Sequence, residues 1–337
     1  MGSNTAHANI AVFVPHNGCP HQCSFCNQRT ITGHSAQPSP DDVRSAIETA
    51  AAHPKPGAYT ELAFFGGSFT AIDRDYMISL LEAAQPYFGN GTINGIRCST
   101  RPDCIDDEVL TILKKYRVTA IELGAQSMRD EVLTANTRGH TADDVRRASR
   151  RIKEYGIELG LQMMTGLYMS SDEDDIYTAR EIIAQKPATV RIYPTVVLKG
   201  TELARLYEQG AYRPKDAEQS AELCARLLTM FEQNDIRVIR VGLHAEKSLE
   251  ENYIAGAYHP AMRELCESRI LLGRMRTLLE QSGKSSAHII VNPRELSKAL
   301  GQKKRNIEIL KNEGYEVSIK ADTSVSESEK LRLISDQ

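Results

Sequence analysis

Short apolar runs punctuate the first two-thirds of the chain, at residues 10–14, 62–65, 93–97, 120–123, 157–163, 190–193 and 236–241. Between them lie segments with the 3.6-residue period of a helix, at residues 41–52, 73–87, 106–114, 142–155 and 172–184. Two of these helices carry clear start signals. Thr141 precedes Ala142-Asp143-Asp144, and Ser171 precedes Asp172-Glu173-Asp174, which puts acidic side chains in first turns. Strand–helix units repeated at this spacing predict parallel strands with helical crossovers. Six or seven such units fit either a partial barrel or a doubly wound sheet. In both, chemistry belongs at the C-terminal ends of the strands.

The rhythm changes after Gly242. Residues 261–281 predict one long amphipathic helix, and 282–286 (Ser-Gly-Lys-Ser-Ser) predict a linker. A small unit follows, with strands near 289–291 and 316–320 and helices near 294–300 and 305–311. Its mixture of elements predicts an α+β fold. The expected division is a core of residues 1–242, a helical extension and linker at 243–283, a small domain at 284–321 and a loose polar tail at 322–337.

Composition changes this picture little. The net charge is −3, from 41 basic and 44 acidic residues, so only local charge bears on a nucleic-acid partner. No stretch approaches the ~20 apolar residues of a spanning helix, and no basic segment leads an apolar one at the N-terminus. No membrane partner is expected. The seven cysteines are an odd number, which argues against a disulfide framework and for ligation in a cytoplasmic protein.

Three of them form the most informative segment, Cys19-Pro20-His21-Gln22-Cys23-Ser24-Phe25-Cys26, in a loop directly after the first strand. The C-x3-C-x2-C spacing lets three thiolates face one cubane and leaves one iron open for a bound amino acid. The same cysteines with His16 or His21 would also make a Cys3His zinc site. Cys98, Cys104, Cys224 and Cys266 lack compact ligand spacing, so one metal centre is expected.

The cysteine loop resembles the defining motif of the radical S-adenosylmethionine (SAM) superfamily. Phe64-Phe65-Gly66-Gly67-Ser68, after the second strand, is similar to that superfamily's glycine pair. Further similarity, to Elongator-subunit-3-like and coproporphyrinogen-dehydrogenase-like members, lies in Glu122-Leu123-Gly124-Ala125-Gln126, Thr137-Arg138-Gly139-His140 and Gln162-Met163-Met164-Thr165-Gly166. The resemblance covers roughly residues 9–270 and implies a partial (β/α)6 TIM-like barrel. It implies a [4Fe-4S] cluster on Cys19, Cys23 and Cys26, and SAM contacts from Gly66, Gly67, Ser68, Gln126, Arg138 and Gln162. Phe25 is expected beside the cluster or the adenine. An external one-electron donor, such as ferredoxin or flavodoxin, would drive reductive cleavage of SAM to a 5′-deoxyadenosyl radical. Tyr193 and Lys199, near the sixth strand end, are the candidate substrate-side catalytic residues. No segment after Glu264 has the length of the acetyltransferase-like domain of true Elongator catalytic subunits, so acetyl-CoA-dependent chemistry does not transfer.

Residues 291–307 resemble a KH domain, which clamps single-stranded nucleic acid with a G-x-x-G loop. Here the loop is Gly301-Gln302-Lys303-Lys304, with lysine at the second glycine. Residues 284–312 hold seven Lys/Arg and two Glu, a local +5 suited to phosphates. Lys298, Gly301, Lys303, Lys304 and Arg305 are the candidate nucleic-acid residues. The leading functional expectation is RNA modification, with tRNA as substrate. The alternatives are a small-molecule or porphyrin-like substrate, and a zinc-stabilised RNA-binding protein without radical chemistry.

Overall fold

The computed structural model describes residues 7–15, 22–26 and 36–334. All seven apolar runs of the first 241 residues become strands of one sheet: β1 (His7–Val14), β2 (Tyr59–Gly66), β3 (Gly95–Thr100), β4 (Val118–Gln126), β5 (Glu158–Thr165), β6 (Thr189–Pro194) and, after a short excursion, β8 (Arg237–Val241). Every neighbouring pair is parallel. Their spatial order is their sequence order. A doubly wound sheet reverses its direction of growth at a switch point, and this one never reverses. Crossovers of one hand therefore keep all the helices on one face and leave the other face to curl inward. The result is a partial barrel of seven strands, one more than the six expected, with β1 and β8 as its edges.

The outer face carries the main core. Leu62, Phe64, Ile96, Ile121, Leu161 and Ile192 are buried against the helices. The Ala142–Glu154 and Asp172–Ala184 helices begin where the acidic first turns indicated, each with a reciprocal capping box: Thr141 with Asp144, and Ser171 with Asp174.

Two short antiparallel strands, β7 (Val196–Leu198) and β9 (Tyr253–Gly256), form a second layer beyond β6. Val197, Leu203 and Tyr212 make a small core there, and Phe25 packs against it. Nowhere among the described residues is a helix long and apolar enough to cross a membrane.

The C-terminal unit is α+β, as expected, but two of its boundaries differ from expectation. The helix Met262–Ser282 buries Met262, Leu265 and Cys266 in the barrel core and Leu271, Leu272, Met275 and Leu279 in the second core. Gly283 ends it at φ 65°, and β10 (Ser286–Val291) starts three residues later. The serine-rich segment read as a linker is thus a tight helix cap. The second difference is in the tail. Residues 331–334 form β12 (Leu331–Ile334), antiparallel to β10, whose other neighbour is the parallel β11 (Glu316–Ala321). The polar run before it folds into a turn because Val325 is fully buried and its carbonyl accepts from Asn292 Nδ2 at 2.8 Å. The expectation of a loose tail is therefore corrected: polarity hid both this turn and the four-residue strand after it.

Candidate functional site

The inward face of the barrel encloses a cavity of about 1040 Å³ that reaches from the cysteine loop to the β1–β8 edges. Cys23, Phe25, Cys26, Gly66, Gly67, Ser68, Gln126, Arg138, Gln162 and Tyr193 all line it. Ten of the expected site residues thus converge from six separate segments. Cys19 lies outside the described residues. Lys199 is not brought in; its ammonium donates to the Glu251 carbonyl at 2.9 Å on the exposed side of β7.

Backbone bonds anchor the described part of the cysteine loop. Ser24 N donates to the Asn136 carbonyl at 3.1 Å, and the Ser24 carbonyl accepts from Leu203 N at 2.9 Å. Ser24 Oγ donates to Asn136 Oδ1 at 2.6 Å in a buried contact. Cys26 N then turns back to the Cys23 carbonyl at 3.0 Å. These bonds fix where two of the three thiols face.

Gly66 closes β2 at φ 116°, where a Cβ would stand 2.6 Å from both Phe13 Cζ and the Val14 carbonyl. Only glycine fits there. The next residue, Gly67, donates its N–H to the Val14 carbonyl at 2.9 Å, which ties the glycine pair to the end of β1. Ser68 is buried in a hydroxyl cluster: its Oγ lies 2.7 Å from Thr100 Oγ1, which lies 2.6 Å from Thr70 Oγ1.

Gln126 and Arg138 meet over Gly124. A register shift between β4 and β5 coincides with Gln126 at φ 64°, a left-handed backbone that re-aims its amide. Arg138 donates to the Gly124 carbonyl at 2.7 Å and to Cys23 Sγ at 3.3 Å. A Cβ on Gly124 would sit 2.8 Å from Arg138 and 3.0 Å from Gln126. Gln126 Oε1 and Arg138 Nε are buried and have no hydrogen-bond partner among the described residues. Such atoms cost on the order of 1–3 kcal/mol each unless something satisfies them. Beside them His140 holds the Ala125 carbonyl at 3.2 Å. Burial, then the charges of Arg138 and Arg101, push its pKa down to about 3, so the ring stays neutral.

Below this end a charge network crosses the bore. Glu122 accepts from Arg191 at 2.5 and 2.9 Å, from Gln162 at 2.9 Å and from Arg97 at 3.4 Å. Arg97 also reaches Glu61 at 2.9 Å and Glu158 at 3.2 Å, and His7 reaches Glu61 at 2.8 Å. Burial pushes the Glu122 carboxyl up, but Arg191, Gln162 and Arg97 together hold it below its ordinary value. Burial pushes the Tyr193 phenol above its ordinary range.

The motif reading missed this network. The signal was present: Ile96-Arg97-Cys98, Ile121-Glu122-Leu123 and Val190-Arg191-Ile192 each set one charge inside an apolar strand run. Asn136, which clamps Ser24, left no such trace.

The nucleic-acid candidates divide. Gly301 sits at φ 71°, where a Cβ would stand 3.0 Å from the Asn306 side chain, and Lys303, Lys304 and Arg305 are exposed. Lys298 is already held by Glu267 at 2.9 Å and Glu295 at 3.2 Å, and so braces the unit against the long helix.

A parallel partial barrel whose cavity gathers cysteines and a glycine pair at one end puts the chain in a class of α/β proteins with one site inside the sheet. The chain matches the Radical SAM superfamily model over residues 13–182, half its length, and the Radical_SAM C-terminal domain model over residues 187–271. It belongs to the radical SAM superfamily and is a radical SAM enzyme. Within the superfamily its likeness is to the Elongator protein 3 branch. It is 29% identical over 259 residues to a tRNA uridine(34) acetyltransferase of Methanocaldococcus jannaschii, covering 64% of this chain and 47% of that one. It is 30% identical over 230 residues to human Elongator complex protein 3, covering 62% and 41%. The chain thus spans about half the length of these curated relatives. In fold it is similar to the archaeal Elp3 of Methanocaldococcus infernus, with a TM-score of 0.64 at 22% identity, over 83% of this chain and 64% of that one.

Proposed function

We propose that the protein uses a [4Fe-4S] cluster on Cys19, Cys23 and Cys26, with SAM, to modify RNA of the tRNA class. The observation that carries the cofactor assignment is the pair of unpartnered buried atoms, Gln126 Oε1 and Arg138 Nε, beside the Cys23 thiol. They are a donor and an acceptor waiting for a polar ligand at the thiol-lined end of the cavity. Gly66 and Gly67 line the same end of the cavity and would present bare backbone to a methionyl group. When bound, cluster and SAM together supply one-electron cleavage of a sulfonium C–S bond, with the electron from a ferredoxin- or flavodoxin-type donor.

The chain's own residues then do three things. Arg138 donates to the Cys23 sulfur at 3.3 Å and orients it toward the cavity. Gln126 and Ser68 orient the polar end of SAM, while Phe25 and the β7–β9 layer exclude water. Gln162, held by Glu122 at 2.9 Å and Ser99 at 3.3 Å, supports the cavity floor and reaches SAM only by exchanging one of these partners. Buried free thiols at Cys98, Cys224 and Cys266 support a reducing compartment, the cytoplasm.

The RNA half of the proposal rests on the curated relatives named for tRNA uridine and on the C-terminal loop. Lys303 and Lys304 have φ values of 51° and 62° between the two helices. The Lys304 N–H closes the turn on the Gly301 carbonyl at 3.0 Å, which leaves the exposed Lys303 and Lys304 ammonium groups as the donors a KH-like clamp would offer to phosphates.

The test uses anaerobically reconstituted full-length protein. Wild type should carry about four irons and form 5′-deoxyadenosine under reduction. Replacing Cys19, Cys23 or Cys26 by alanine should remove the brown chromophore; wild-type iron in all three variants would refute the cluster. Bulk tRNA should bind with strong salt dependence. A Lys303→Gly/Lys304→Gly double variant keeps the left-handed backbone and removes two charges. It should lower the slope of log affinity against log salt by roughly 1–2. Absence of tRNA binding by the wild type would turn the reading to a small-molecule substrate.

A further inference from the structure

Among the described residues seven arginines line the cavity, against a single carboxylate, Glu246. Most of them are accounted for. Arg97 and Arg191 are neutralised by the glutamates of the bore, Arg101 by Asp103 at 2.9 Å and Arg263 by Glu267 at 2.8 Å. Arg138 belongs to the cysteine end. At the β8 edge, Arg240 is half-buried and forms no ion pair with any carboxylate among the described residues.

Arg240 is placed by register. It pairs with Arg191 across β6 and β8, so both face the bore. Its one side-chain hydrogen-bond partner among the described residues is His244, whose Nδ1 lies 3.0 Å from Arg240 Nη2. A guanidinium only donates, so His244 Nδ1 must accept, and the ring proton must sit on Nε2. The pair therefore turns nothing but donors toward the cavity: the remaining guanidinium N–H groups and the imidazole Nε2–H. Electrostatics agree. Burial and the charge of Arg191 lower the Arg240 pKa, and burial, Arg240 and Arg191 lower that of His244. An anion placed here would relieve this crowding.

We propose that Arg240 and His244 form an anion subsite at the open edge of the barrel that seats a phosphodiester of the substrate RNA. This rests on the RNA reading above. A phosphodiester offers two non-bridging oxygens and one negative charge, which matches a planar donor fork with one further N–H. The subsite shares the cavity with the cysteine end. A phosphate held there sets how far a nucleotide enters the bore, and Tyr193, next along β6 from Arg191, flanks the entering group.

The experiment titrates two probes into full-length protein, wild type and the variants Arg240→Gln, Arg240→Lys and His244→Gln, after matching their melting temperatures. The first probe is inorganic phosphate, followed by calorimetry. Wild type should bind it, Arg240→Gln should lose at least tenfold in affinity, and His244→Gln severalfold. Arg240→Lys, which keeps charge without the fork, should fall between wild type and Arg240→Gln. The second probe is a fluorescent uridine hexanucleotide and its uncharged methylphosphonate analogue, followed by anisotropy. Arg240→Gln should weaken the phosphodiester at least tenfold and leave the analogue unchanged. If wild type and Arg240→Gln bind phosphate equally, or wild type does not bind it, the subsite is overturned. If phosphate binding depends on Arg240 but neither RNA probe nor bulk tRNA binds wild type, the anion subsite stands and the RNA assignment falls.

Discussion

Two sets of arginines share one barrel bore and behave in opposite ways. Arg97 and Arg191, across the middle, are enclosed by Glu61, Glu122 and Glu158. Arg138 and Arg240, at the cysteine end and the open edge, have as side-chain partners among the described residues only a carbonyl, a sulfur and an imidazole. The first set is complete without a ligand; the second is not. A buried charge whose partners lie within the protein is a structural brace, whereas one left with neutral partners marks where a ligand belongs.

This contrast can be broken experimentally, and the largest effect should come from its satisfied half. Glu122→Ala leaves Arg97 and Arg191 facing each other in a site where Glu122 was 1% exposed. Removing one partner of a buried network costs roughly 3–5 kcal/mol. A urea denaturation midpoint close to wild type would show that water already screens the bore.

A smaller effect, with a definite pH signature, is expected at Asp175. This carboxyl is 2% exposed, accepts from Gly166 N at 2.8 Å and Ser170 Oγ at 2.7 Å, and has no arginine against it. Burial pushes its pKa from 3.8 up to about 7. Well below pH 3.8 it is protonated both folded and unfolded, so burial carries no electrostatic penalty. Between these values the unfolded chain releases a proton that the fold retains, so stability falls as pH rises through the window. Asp175→Asn should remove that loss and gain on the order of 1–3 kcal/mol relative to wild type between pH 4 and 8. Parallel pH profiles for the two proteins would rule this out.

The smallest effect on stability should come from the unsatisfied half. Arg138→Ala gives up the bond to the Gly124 carbonyl but also removes an unpartnered nitrogen, so the two partly offset and its unfolding free energy should fall by about 1 kcal/mol. SAM affinity, measured calorimetrically on anaerobic protein, should fall at least tenfold. The reverse result, a large loss of stability with SAM affinity intact, would move Arg138 into the structural set and dissolve the contrast.

Much of this was legible in the sequence because the relevant signals are local. Thr141 and Ser171 announce helices through the residues three positions on, and the cysteine triplet and glycine pair are contiguous. What was not legible depends on partners far apart along the chain. Glu122 meets Arg191 across 69 positions and Ser24 meets Asn136 across 112. Lys298 read as a free cation because Glu267, its closest partner, lies on another helix. β12 was hidden because four residues of mixed polarity become a strand only when β10 offers an edge. Strand order, which separated a partial barrel from a doubly wound sheet, has no local sequence signal at all.

The shared helix Met262–Ser282 has a consequence for how the molecule comes apart. Its first turns complete the barrel core and its later turns complete the other. Neither core can melt without stripping a face from the same rod, so denaturation should be cooperative across both, with no separate transition for the C-terminal unit. A load on the Lys303–Lys304 loop is therefore borne by the barrel itself. The helix, about 30 Å long, acts as a strut of fixed length rather than a tether.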